Sequence, residues 1–229
     1  MDSAWSAAGP AMVCTFGVFG CRPGRSKDVQ ARALSAIFMA SFRDMPPFPP
    51  ALVELSTAQF VLRPPSTADA PEVLRLARDP DVLLWNPRCR IEDEAGAVAD
   101  CLKGADWSDG THATFSILDA ESGRYVGNIG LHGLDLENAQ ARIGYRIAPW
   151  ARGRGAATAS VQAVTTWAMT TLQLARIVLT HAVENHASCR VAQKSGFVLE
   201  GVMRSAKRFG DGRLHDEHLH ACLATDLAS

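Results

Sequence analysis

The residue pattern predicts one mixed α/β domain, with a mostly antiparallel sheet flanked by helices. Three observations carry this prediction. From residue 59 onward, apolar positions switch repeatedly between a two-residue and a 3.6-residue period. The order of those segments is antiparallel strands, then a strand–helix–strand crossover, then a hairpin, with no internal repeat. Finally, 47% hydrophobic and 21% charged residues in a chain of 229 are enough for one real core.

Taken in order, Phe60-Val-Leu-Arg63 reads as a short strand. Thr67 or Asp69, then Pro71, Val73, Leu74 and Ala77, gives a capped amphipathic helix. Residues 91–102 read as a second helix, with Glu92, Asp93 and Glu94 at the end its dipole favours. Strands are expected at residues 114–118, 125–131 (after the Ser122-Gly123 turn) and 142–148. A long helix over residues 156–174 places Val161, Val164, Ala168 and Leu172 on one side. Residues 176–181 form a buried strand, 187–195 a short helix and 197–200 a further strand. The Gly210-Asp-Gly212 turn leads into a last strand near 218–224.

The N-terminal residues differ from the rest. Met45-Pro-Pro-Phe-Pro-Pro50 cannot continue a helix or a central strand and marks a boundary. Residues 1–50 are therefore expected to be a flexible extension, or the product of a mis-assigned start codon, with the folded domain at 51–229. An early apolar patch has signal-peptide length, but Asp2 stands where a basic region belongs, which argues against secretion.

Several function classes drop out on composition. With 23 basic and 24 acidic residues, no excess charge remains for nucleic-acid binding. No apolar run reaches the ~18–20 residues needed to span a bilayer, so a soluble chain without membrane partners is predicted. Six scattered cysteines with no C-x-x-C pair read as reduced thiols, which points to the cytoplasm.

The informative stretch is Ile147-Ala-Pro-Trp-Ala-Arg152-Gly-Arg-Gly-Ala-Ala157. A strand runs through Ile147 and Ala148 into a loop with Gly153 and Gly155, which opens directly into a long helix at Ala156 and Ala157. The first N–H groups of a helix lack internal partners and sit at its positive dipole end, which suits phosphate oxygens. Arg152 and Arg154 add formal positive charge. A P-loop would need G-x-x-x-x-G-K-[ST], which is absent. A dinucleotide fingerprint would need Gly where Thr158 stands and an acid in the strand after the helix, where residues 176–180 have none. The residues alone leave two readings, a phosphate-ester site or a Gly-rich helix start that binds nothing.

Arg152-Gly-Arg-Gly155-Ala-Ala157 resembles the R/Q-x-x-G-x-G/A pyrophosphate loop of GNAT-superfamily N-acetyltransferases. Downstream, Asn185-His-Ala-Ser188-Cys-Arg190-Val-Ala-Gln-Lys194-Ser-Gly-Phe197-Val-Leu-Glu-Gly201 resembles the second motif of that family. Its Ser in place of Tyr is typical of the branch that acetylates the N-termini of ribosomal proteins. Ile143-Gly-Tyr-Arg-Ile-Ala-Pro149 resembles the strand before the loop, and Asp79-Pro80 with Trp85-Asn-Pro87 the early helix region. The resemblance covers roughly residues 60–225.

This resemblance implies acetyl-CoA as co-substrate and a sheet splayed where the pantetheine arm pairs with strand backbone. The diphosphate would lie on Arg152, Gly153, Arg154, Gly155, Ala156 and Ala157. Ile147 and Ala148 would contribute backbone groups, one N–H near Ile147 polarising the thioester carbonyl. Asn185 would bond the arm, Ser188 would protonate the leaving thiolate, and Arg190 with Lys194 would meet the 3′-phosphate. Relatives often carry Glu before the Ile-Gly-Tyr strand, where this chain has Arg142. That leaves His132, Glu137 and Tyr145 as further catalytic candidates, with Asp135 and His181 behind them. The acceptor is expected to be an amine, on a small molecule or a protein N-terminus, and a homodimer is an open expectation. The rival reading is a non-catalytic acyl-CoA-binding sensor, which Arg142 favours. The tail His215-Asp-Glu-His218-Leu-His220 puts two histidines on one strand face and one on the other, with no cysteine motif beside them, so no metal is expected.

Overall fold

The computed structural model describes residues 53–87 and 91–228, so the expected N-terminal extension lies outside the described residues. The strands are β1 (Leu55–Ser56), β2 (Phe60–Arg63), β3 (His112–Asp119), β4 (Tyr125–Asp135), β5 (Gln140–Ile147), β6 (Arg176–Ala182), β7 (Val198–Arg208) and β8 (Leu214–Leu223). The α-helices are α1 (Ala70–Ala77), α2 (Pro80–Trp85), α3 (Glu94–Ala105), α4 (Ala156–Thr170) and α5 (His186–Lys194). The strands form one sheet in the order β1-β2-β3-β4-β5-β6-β8-β7. Among its pairings only β5 with β6 is parallel.

Strand alternation explains how the layers form. Phe115, Ile129, Leu131 and Ile143 are buried in one cluster with Val161, Val164, Trp167 and Ala168 of α4. Each of the larger side chains contributes about 1.5–3 kcal/mol of apolar burial. Trp107, Phe115 and Trp167 meet edge-on or tilted, with centroids 5.1–6.0 Å apart. A second cluster joins α1, α2 and α3 through Val73, Leu76, Val82, Ala97 and Cys101. On that face Ser116 donates to Asp69 at 2.7 Å, and Arg63 clamps the same carboxylate through both terminal nitrogens. Burial pushes Asp69 up, but the bonds from Arg63, Ser66 and Ser116 outweigh it and hold the group below the usual carboxylate range.

Several boundaries differ from the sequence expectation. The second predicted helix starts at Glu94, because Asp93 is its cap and accepts from Gly96 N at 2.8 Å. The long helix stops at Thr170, not 174. Gln173 turns left-handed at φ 57°, and Leu174 N closes back onto Ala168 O at 3.1 Å. The last two strands are longer than predicted and join at the expected 210–212 turn. Helix α2, in the stretch that resembles the family's early helix region, begins with Asp79 capping Val82 N at 3.2 Å and Pro80 in the first turn. It docks on the hairpin through Gly210, where a Cβ would lie 2.1 Å from Leu83 O.

One feature of the sheet positions the site. β5 is paired to β4 as far as Ile147, and β6 to β8 as far as Ala182. Between them, β5 and β6 pair only at Gln140↔Arg176, Ala141↔Ile177 and Arg142↔Val178. Beyond Arg142 the two strands part, and a crevice opens towards their C-terminal ends.

Candidate active site

The crevice wall on the β5 side offers unused backbone groups. Ala148 N donates to Val126 O at 2.8 Å. By antiparallel alternation, Ile147 and Tyr145 therefore turn their N–H groups away from β4 and into the gap. Ala148 itself, expected to contact the co-substrate, has its N–H committed and its carbonyl bonded by Ala151 N at 2.9 Å. It is fully buried.

At the open end, the chain turns through Pro149–Ala151 into α4. Gly155 precedes the helix with φ 80° and provides no side-chain cap. The N–H groups of Ala156, Ala157 and Thr158 have no backbone partner among the described residues. Gly153 is also left-handed, at φ 78°. A Cβ at either glycine would meet nothing within 4 Å, so positive φ is what requires glycine there.

The loop arginines, expected to meet the diphosphate, are paired with carboxylates of the chain. Arg152 bonds Asp79 at 2.5 Å, Asp81 at 2.7 Å and Ile147 O at 3.3 Å. Arg154 bonds Asp119 at 2.5 Å. Asp119 is held well below the usual carboxylate range by Ser122's backbone N–H and hydroxyl, and then by Arg154. The arginine charges are thus answered inside the protein. They brace the loop against α2 and the β3–β4 turn, and the unpaired donors at the helix start are backbone N–H groups.

Across the crevice, α5 begins at Asn185, whose Oδ1 accepts from Ser188 N at 3.1 Å. This cap uses the amide oxygen and leaves the NH₂ for other partners. Ser188, one turn along, receives a hydrogen bond from the Tyr145 hydroxyl at 3.1 Å. Burial pushes Tyr145 up to about 12, so its hydroxyl keeps its proton at neutral pH. Sequence reasoning found both residues but not their contact, which joins positions 43 apart. Arg190 and Lys194 are exposed on α5.

His132 stands opposite Arg142 in the β4–β5 ladder, level with the last paired residues of β5 and β6. Alternation puts its side chain on the sheet face opposite Tyr145, and its ring lies near Gly144. Desolvation first, then the charges of His112 and Arg146, hold its pKa below the ordinary histidine value. Glu137 is exposed in the β4–β5 turn, beyond the closed end of the crevice, and is not brought to the Tyr145–Ser188 pair. Asp135, at the same end, is tied to Asn138 at 2.7 and 2.9 Å.

No helix among the described residues is long and apolar enough to cross a membrane. Cys101, Cys189 and Cys222 are free thiols.

Comparison with known proteins agrees with this architecture. Residues 59–198 match the acetyltransferase (GNAT) domain family. The uncharacterized N-acetyltransferase p20 of Bacillus licheniformis is 29% identical over 76% of this chain and 98% of its own length. The provisionally named ribosomal N-acetyltransferase YdaF of Bacillus subtilis is 38% identical over 41% of this chain and 51% of its own. Among solved structures, RimL, a ribosomal L7/L12 α-N-protein acetyltransferase in complex with coenzyme A, superposes with a TM-score of 0.69. It is 20% identical, covering 75% of this chain and 98% of RimL. With its strands parted beside an uncapped helix start and more than half its length matching the family, the chain belongs to the GNAT family of N-acetyltransferases.

Proposed function

We propose that the protein transfers an acetyl group from acetyl-CoA to a primary amine by direct attack within a ternary complex. The observation that carries this reading is the uncapped start of α4 at the mouth of the β5–β6 crevice, with the Tyr145–Ser188 pair spanning that crevice. Acetyl-CoA supplies the acetyl group as an activated thioester. The backbone N–H groups of residues 153–158 hold its diphosphate. Those of Tyr145 and Ile147 pair with the pantetheine arm or polarise the thioester carbonyl. The NH₂ of Asn185 bonds the arm, and Arg190 with Lys194 faces the 3′-phosphate. Tyr145 donates to Ser188, which turns its own hydroxyl hydrogen towards the leaving sulfur. From the opposite face, His132, whose pKa its surroundings lower, takes the proton of the attacking amine. Donor and base thus approach the acetyl carbon from the two sides of the sheet.

Proton cost favours weakly basic acceptors. Deprotonating a lysine side chain at pH 7 costs about 4.6 kcal/mol, against about 1–1.4 kcal/mol for an α-amine. RimL and YdaF, whose names refer to ribosomal acceptors, support a protein N-terminus as the first acceptor class. Small-molecule amines are the second, in line with the fold shared with MccE, a microcin C7 self-immunity acetyltransferase. The same reading assigns catalysis to residues 51–229 and places the protein in the cytoplasm.

The test is thiol release from acetyl-CoA across a panel of N-terminal peptides and small amines, beside a thermal-shift titration with coenzyme A. Turnover on at least one amine is expected. Stabilisation by coenzyme A without turnover on any of them would favour the rival acyl-CoA sensor.

A further inference from the structure

Where α5 meets the C-terminal end of β6, three histidines and a cysteine converge. His181 lies at the end of β6, His218 stands directly across from it on β8, and His220 follows two residues on. The pleat puts all three on one sheet face, and Cys189 approaches from α5. Taking one ligand atom from each residue, all four atoms lie within 4.8 Å of one another.

Hydrogen bonding makes this cluster more than a coincidence of side chains. Nδ1 of His181 lies 2.8 Å from Ala182 O, and Nδ1 of His220 lies 3.4 Å from Phe197 O. A carbonyl only accepts, so both Nδ1 atoms carry the hydrogen, and in a neutral ring Nε2 is then a bare lone pair. Those two Nε2 atoms face each other at 3.3 Å between buried, stacked rings. Two lone pairs at that distance repel unless a cation lies between them. Tetrahedral zinc with Zn–N bonds of about 2.0–2.1 Å separates its nitrogen ligands by about 3.3 Å. His218 adds an Nδ1 that is sealed from solvent and has no hydrogen-bond partner. The carbonyl bonds to His181 and His220 are the outer contacts that orient histidine ligands in metal sites.

We propose that His181, Cys189, His218 and His220 bind one borderline transition-metal ion, with Zn²⁺ the first candidate. On binding, the Cys189 S–H bond breaks, its proton goes to solvent and the thiolate sulfur bonds the metal. No oxidation or reduction is involved. Four protein ligands fill a tetrahedral site, so the ion is structural. It pins α5, which carries Asn185 and Ser188, onto β6 and β8. The expectation of no metal weighed only the histidines of the tail, whereas the fold adds His181 and a cysteine from a separate helix. The inference does not rest on the acetyl-transfer reading, because its test reads the metal directly.

The test is a titration of the chelator-treated full chain with Co²⁺, followed by absorption. A thiolate-to-cobalt charge-transfer band and intense tetrahedral d–d bands are expected, saturating at one ion per chain and displaced by Zn²⁺. Cys189→Ser should abolish the charge-transfer band and weaken binding by about 100-fold or more. If that variant fails to fold, His218→Ala carries the same affinity test. A wild-type chain without these bands would overturn the proposal and leave a proton shared between His181 and His220. An unchanged spectrum in Cys189→Ser, or unchanged affinity in His218→Ala, would overturn it as well.

Discussion

Two helix starts flank the crevice, and they are built in opposite ways. α5 is closed by its own side chain, with Asn185 accepting from Ser188 N. The same device recurs at Ser66, Asp79 and Asp93, each of which supplies an oxygen to a following N–H. α4 begins at a left-handed glycine with no such oxygen, and the two arginines before it are occupied by Asp79, Asp81 and Asp119. α2, α3 and α5 are thus capped from within, whereas α4 leaves its first donors open. The difference separates a helix end closed by its own chain from one whose donors stay open, as the proposed diphosphate site requires.

That contrast is broken most severely at Gly155. Gly155→Asp puts a carboxylate where the diphosphate oxygens belong and should weaken coenzyme A binding by about 100-fold or more in calorimetric titration. Gly155→Ala adds a Cβ that meets nothing, so it should cost only the left-handed strain, about 1–2 kcal/mol of stability in thermal melts, with coenzyme A still bound. Equal loss of binding in both variants would show that loop conformation, and not the anion site, governs affinity.

On the α5 side, Ser188→Ala should lower kcat about 100-fold while leaving the coenzyme A Kd unchanged, since its backbone N–H still meets Asn185. Tyr145→Phe should cost less, because Ser188 keeps its own hydrogen. A smaller effect concerns pH. As a base, His132 must be unprotonated, and its pKa is lowered. Activity should therefore hold through neutral pH and fall only as pH drops below the ordinary histidine value of about 6.5. His132→Gln should flatten that acid limb, and an unchanged limb would remove His132 from the mechanism. Smallest is Asn185→Ala, which should cost about 1 kcal/mol of stability, or about 2–4 °C in Tm.

What could be read from the sequence was local. The loop declared itself because glycines, arginines and a helix start lie within a few consecutive residues, and periodicity located the strands that frame it. The pairing of Arg152 with Asp79 and Asp81 was not legible, since the partners are more than 70 positions away. The sequence shows the arginine charge but not the carboxylates that pair with it. The end of α4 was misjudged because Gln173 takes the left-handed turn where a glycine would have announced it. Tyr145 and Ser188 stand out singly in the sequence, but their contact does not, because it depends on where α5 sits against β5. The register of β6 with β8, and the seat of α5 beside them, gathers His181, Cys189, His218 and His220.

The central claim is that the backbone donors at the start of α4 take the diphosphate of coenzyme A. Its most direct test is a crystal structure of the protein with coenzyme A bound. The account predicts diphosphate oxygens within hydrogen-bonding distance of the N–H groups of residues 153–158, with the pantetheine arm between β5 and β6. A diphosphate bound elsewhere, with those N–H groups facing only water, would contradict it.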